Sequence, residues 1–129
     1  MSLFHPPAFE AIDDVDERSR RPLRELTSDG ESFVFGFVER DAVLDRHRTR
    51  VLLTDEKIVE LERGWYFEST ETYRLDKIGT VETERSGHAI EVDGTRVDGE
   101  FHARDPAVGR RFANAIREQV EAMAADETA

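Results

Sequence analysis

The chain has no cysteine and only two lysines, Lys57 and Lys77, among 129 residues. Without cysteine there can be no disulfide, thiolate zinc site, iron–sulfur cluster or cysteine nucleophile. No apolar run approaches the roughly 20 residues of a membrane-spanning helix. The first residues, MSLFHPPAFEAIDDVDE, lack the basic start and apolar centre of a signal peptide. An intracellular, cytoplasmic chain is therefore expected. Serines are few, and none sits in a nucleophile-elbow pattern. Nor is there a glycine-rich phosphate cradle. No catalytic role and no cofactor is expected.

What the chain does have is acid. Asp and Glu total 29 against 18 Lys and Arg, giving a formal net charge of −11. In ordinary salt that surplus repels itself and weakens the compact state. In molar salt the Debye length falls to about 3 Å, and the repulsion nearly vanishes. Lysine carries a long apolar stem, so a surface adapted to such salt is expected to shed it and keep arginine. The composition thus predicts a halophilic, acidic, soluble protein. It also argues against nucleic acid as a partner, because that affinity rests on Lys and Arg contacts to phosphate and collapses as salt rises.

At this length one domain with one core is expected. Residues 1–25 read as a partly helical arm, with Pro6-Pro7 opening a helix that carries Phe9, Ile12 and Val15, and Pro22 interrupting. From Ser32 to His102 strands alternate with turns. Phe33, Phe35 and Phe37 fall on one face of the first strand, with Val34 and Val38 on the other. Arg50–Thr54 and Lys57–Arg63 form a hairpin across Asp55-Glu56. Trp65–Ser69 and Thr72–Leu75 follow, then Ile78–Glu84, and Asp93-Gly94 is expected to turn Ala89–Val92 into Thr95–Phe101. Asp98-Gly99 reads as a bulge or a second turn. Asp105 suits an N-cap and Pro106 the first helical position. Val108, Phe112, Ile116, Val120 and Met123 then make one apolar stripe on a helix running to about Ala125.

Four segments, LTSDGESFVFGFV (26–38), VLLTDEKIVEL (51–61), YRLDKIGTVE (73–82) and RRFANAIREQV (110–120), resemble the prokaryotic pleckstrin-homology-like domains. The resemblance covers about residues 26–124. It implies a mainly β (α+β) fold, a bent antiparallel barrel of about seven strands with one end covered by the C-terminal helix. Residues 26–125 would form that domain, and 126–129 a tail. The implied function is non-catalytic binding, to a protein partner or to a second copy.

The sharpest local feature is a reversal of sign. Arg46, Arg48 and Arg50 alternate along one extended face, with Arg40 before them and the aromatic run Trp65-Tyr66-Phe67 further on. Arginine forks can hold phosphate bidentately, so an anionic membrane surface is the alternative partner for this face. The blander reading is a solvated strand face paired with neighbouring carboxylates. His5, His47, His88 and His102 are scattered without metal-site spacing, and Asp13-Asp14-Val15-Asp16-Glu17 lacks the spacing of a calcium loop.

Overall fold

The structure, a computed structural model, describes residues 8–39, 48–63 and 68–128. Eight strands are described: β1 (Ala8–Phe9), β2 (Phe33–Val38), β3 (Arg48–Thr54), β4 (Lys57–Arg63), β5 (Glu68–Arg74), β6 (Ile78–Thr83), β7 (Ala89–Gly94) and β8 (Val97–His102). Two helices accompany them, α1 (Glu17–Leu26) and α2 (Pro106–Thr128). The strands make two antiparallel sheets, ordered β1-β2-β3-β4-β5 and β6-β7-β8.

The expected bent barrel does not close: the strands form two separate sheets. Between β5 and β6 the chain makes a single 3-10 turn, Leu75–Lys77, and those two strands are not hydrogen-bonded neighbours. Leu75 is buried, so the turn is fixed by its side chain and the ladder breaks there. At the opposite corner one isolated bridge, Glu39 to Ala103, links the end of β2 to the end of β8. The α2 helix packs against β6, β2, β7 and the 3-10 turn.

The apolar run Val51-Leu52-Leu53 explains the layering. All three residues are fully buried, although neighbours on a strand point to opposite faces. Val51 and Leu53 join Phe35, Phe37, Ile58, Ile90, Phe101, Phe112 and Ile116 in the inner core between the sheets and α2. Leu52 joins Val59, Leu61, Phe9, Val15 and Leu23 in an outer core beneath the N-terminal arm. A strand buried on both faces reads as a continuous apolar run rather than an alternating one. The five-stranded sheet is therefore the middle layer of three.

The arm departs from expectation. Phe9 lies in β1, paired to β2, and Ile12 opens a 3-10 turn and is exposed. Helix begins only at Glu17, with Asp16 at its N-cap, and Pro22 lies inside α1. Proline removes one internal hydrogen bond; burial of Ser19 and Leu23 against the sheet offsets it.

Two further expectations are corrected by register. Phe33 pairs with Thr54 and Phe35 with Leu53, so Val34 is an extra residue in a bulge. The bulge turns Phe33 to the outer core with Val38, away from Phe35 and Phe37. The β7–β8 turn falls at Thr95-Arg96, because Gly94 pairs with Val97 and Asp93 with Asp98. Arg96 takes the left-handed conformation, φ 61°. Gly94 and Gly99 serve close packing instead. A Cβ on Gly94 would lie 1.8 Å from the Lys77 carbonyl oxygen, and one on Gly99 would lie 2.9 Å from the Tyr73 ring.

The C-terminal helix follows its sequence signals. The Ala107 amide donates to Asp105 Oδ1 at 2.9 Å and the Gly109 amide to the Asp105 carbonyl at 3.1 Å, completing the cap. Val108, Phe112 and Ile116 are buried, while Val120 and Met123 pack on the rim of the inner core. The Phe112 ring meets Phe37 and Phe101 edge-on, at centroid distances of 4.9 and 5.6 Å.

Candidate functional site

Arg48 and Arg50 lie two apart on β3, opposite Arg63 and Leu61 of β4. Arg50 takes the outer face of the sheet, but it does not reach solvent. It is 6% exposed and its Nε donates to Asp16 Oδ1 at 2.6 Å. The Ser19 hydroxyl, itself buried, donates to the same carboxylate at 2.9 Å. The α1 N-cap thus holds Arg50 beneath the arm, which withdraws it from any exposed arginine face. This arginine is a strut between layers. Arg40, Arg46, Trp65 and Tyr66 lie outside the described residues. The strand ends that flank them are neighbours, since Arg48 pairs with Arg63 and Arg63 with Glu68.

The opposite end of the sheet holds a polar network that sequence reasoning missed. Glu31, following Gly30 at the entrance to β2, has a side chain with no exposed surface. Its carboxylate accepts the Ser28 amide at 2.8 Å, the Thr54 hydroxyl at 2.5 Å and the Lys57 ammonium at 3.0 Å. Thr54 Oγ1 in turn accepts the amides of Glu56 and Lys57, both at 3.1 Å. Burial alone would raise the Glu31 pKa, but these donors outweigh it and hold the carboxyl below its ordinary value. Glu56 moves the other way, raised by its hydrogen bond with Glu31, by desolvation and by the charges of Glu31 and Asp55. A signal was available: Lys57 is one of two lysines in a chain that otherwise uses arginine.

Beside this network lies a cleft of about 390 Å³. Glu56, Lys57, Arg74 and Asp76 supply its charge, Ser28 and Thr72 its hydroxyls, and Leu26 and Met123 its apolar wall. Arg74 donates to Asp76 at 2.8 Å and remains 69% exposed.

On the inner face of the sheet, beyond the apolar core, Glu60 lies opposite Glu71 with Glu62 on the same side. Burial raises the Glu60 pKa, and the charges of Glu71 and Glu62 add to it. The Tyr73 hydroxyl donates to Glu71 at 2.6 Å, and burial together with that bond pushes its pKa well up. Among the described residues no group of three or more His, Asp or Glu could hold a metal ion. His88 Nδ1 lies 3.0 Å from the Ala103 carbonyl oxygen, a strand-end contact. No described helix is long and apolar enough to cross a membrane.

No family model matches the chain, and no curated protein matches it either.

Proposed function

We propose that this chain is a non-catalytic binding module of the pleckstrin-homology-like kind that associates with protein, in the first place with a second copy of itself. The observation that carries the reading is the edge of β5. Among the described residues this strand is last in its sheet, bonded only to β4, and its seven residues pair with β4 without a register break. Ser69, Thr70, Glu71, Thr72 and Arg74 are exposed. An unpaired edge without proline or bulge can accept another strand, and its charges, Glu68, Glu71 and Arg74, restrict which strand that can be.

Two copies of β5 paired antiparallel about Glu71 would set Glu68 against Arg74 at both ends and Thr70 against Thr72. The central Glu71 pair repels, and molar salt screens that repulsion within about 3 Å. The acidic composition fits the same reading: a halophilic protein that is soluble and self-associating at high salt. Sedimentation velocity across a KCl series tests it. The dimer fraction is expected to rise with salt and to be lost in Thr70→Lys/Thr72→Lys, which would set lysines opposite one another. A chain that stays monomeric at millimolar concentration in molar KCl would overturn the reading.

A further inference from the structure

The cleft at the foot of β5 shares Thr72 and Arg74 with the pairing edge, and its remaining lining lies beyond that edge. Four charged side chains line it, two of each sign, in a molecule whose net charge is −11. Their commitments differ. The Lys57 ammonium is directed to the buried Glu31 carboxylate at 3.0 Å and is only 15% exposed, so it builds the floor. Arg74 donates to Asp76 at 2.8 Å, and its planar fork has five donors in all. Glu56 is exposed beside Glu31 and Asp55, and a carboxylate crowded by acidic neighbours gains from a cation brought to it. The Ser28 and Thr72 hydroxyls can donate or accept.

A dianion entering here would meet Glu56 and Asp76, and a dication would meet Lys57 and Arg74. A ligand that carries one charge of each sign satisfies both walls. The apolar wall of Leu26 and Met123 then suits a short aliphatic chain. The volume lies at the lower end of the roughly 300–1,000 Å³ range of small-molecule sites. We infer that this cleft binds a small aliphatic zwitterion of the amino-acid class, with its carboxylate on Arg74 and the hydroxyls, its ammonium on Glu56, and its side chain against Leu26 and Met123. Lys57 and Glu31 are positioning residues that hold the β3–β4 turn and Ser28 in place. Because Thr72 and Arg74 serve both readings, the cleft is titrated at low salt, where the chain is expected to be monomeric; its failure is read from ligand titration and that of the edge from sedimentation.

The test is an amide-resolved NMR titration of the full chain with three probes of matched shape: L-leucine, 4-methylpentanoate (no ammonium) and isoamylamine (no carboxylate). Leucine is expected to give saturable shifts at Ser28, Glu56, Thr72 and Asp76, with each half-ligand weaker by roughly tenfold or more, one lost charge-assisted contact apiece. Arg74→Gln should weaken leucine by about the same factor and leave isoamylamine unchanged. Glu56→Gln should do the reverse, sparing 4-methylpentanoate. Both side chains are exposed, and an amide spectrum unchanged elsewhere confirms that each variant is folded. Equal shifts from all three probes would overturn the inference, as would 4-methylpentanoate binding as tightly as leucine, or no saturable shift with leucine. If either variant fails to fold, the comparison of the three probes on the parent chain decides alone.

Discussion

The two faces of the five-stranded sheet are covered in different ways. The inner face meets the second sheet and α2 through a dense aromatic and aliphatic core, in which Phe37, Phe101 and Phe112 form a set of edge-on rings. The outer face meets a short arm that brings three buried apolar side chains, Phe9, Val15 and Leu23, to Leu52, Val59 and Leu61. It buries fewer apolar side chains than the inner face, and polar pins hold it: Arg50 to Asp16 within the layer, and Arg111 of α2 to Glu10 at its rim. Apolar burial contributes roughly in proportion to area and is not weakened by charge screening. Ion pairs contribute according to how far water and salt reach them. Damage to the inner face should therefore destabilise the whole domain, while damage to the outer face should loosen one layer.

The largest expected effect is Phe112→Ala. The ring is fully buried against two others, and its loss leaves a cavity that the surrounding strands cannot collapse to fill. A loss of about 4 kcal/mol is expected, within the usual span for such truncations. Urea denaturation would check it; a loss below 1 kcal/mol would break the contrast between the two faces.

Asp16→Ala comes next. It leaves the Arg50 guanidinium buried without its partner and the Ser19 hydroxyl without its acceptor. A cost of about 2 kcal/mol is expected, less than for a fully enclosed pair because Asp16 is 29% exposed. Hydrogen exchange should show the α1 amides opening first, with those of α2 little changed. Exchanging both partners, Asp16→Ala with Arg50→Leu, should recover part of the loss, since no buried charge is then stranded.

The contrast sharpens at Glu60, where the inner face turns acidic. Glu71 lies directly across from it, Glu62 two residues along, and Tyr73 donates to Glu71 beside them. Its folded pKa is raised above the ordinary 4.5. The stability tied to its proton is thus present below the unfolded value and lost as pH rises through the folded one. Glu60→Gln should stabilise the chain at neutral pH by roughly 0.5–1 kcal/mol, the scale of a like-charged cross-strand pair. That gain should shrink as pH falls through the folded pKa, because the parent carboxyl then protonates. Glu31, shifted down, acts oppositely: its contribution is present above 4.5 and is lost only as pH falls through its lower folded value. Thermal melts at several pH values for parent and variant would separate the two. A gain that stays constant down to pH 3 would show that charge is not its source.

How much of this was legible in the sequence follows from the range of each cause. The β3–β4 hairpin and α2 are set by neighbours in the chain, by Asp55-Glu56 and by the Asp105 cap, and both were readable. The β7–β8 turn was misplaced because Gly94 is needed where the Lys77 carbonyl approaches, a contact made between β7 and the 3-10 turn before β6. Phe33 was put on the wrong face because a bulge opposite Thr54 has no local mark. The arginine alternation was visible, but the burial of Arg50 depends on an Asp 34 residues away. The Glu31–Lys57 network spans 26 residues and escaped for the same reason.

The smallest expected effect completes the comparison. Arg111 stacks 4.8 Å over the Phe35 ring and reaches Glu10 from α2, so it ties the arm's rim to the inner-face helix. Both partners are more than half exposed. Pairs of that kind are worth well under 1 kcal/mol and fade with salt. Glu10→Gln should therefore change stability by less than about 0.5 kcal/mol in dilute buffer and by nothing measurable in molar KCl. Arg50 and Asp16, by contrast, should keep most of their coupling at that salt, because Arg50 is shielded from the solution ions. A double-mutant cycle on each pair, run at low and molar KCl, reads the two couplings side by side. If both fade equally with salt, burial of Arg50 gives it no protection, and the arm is held by its apolar contacts alone.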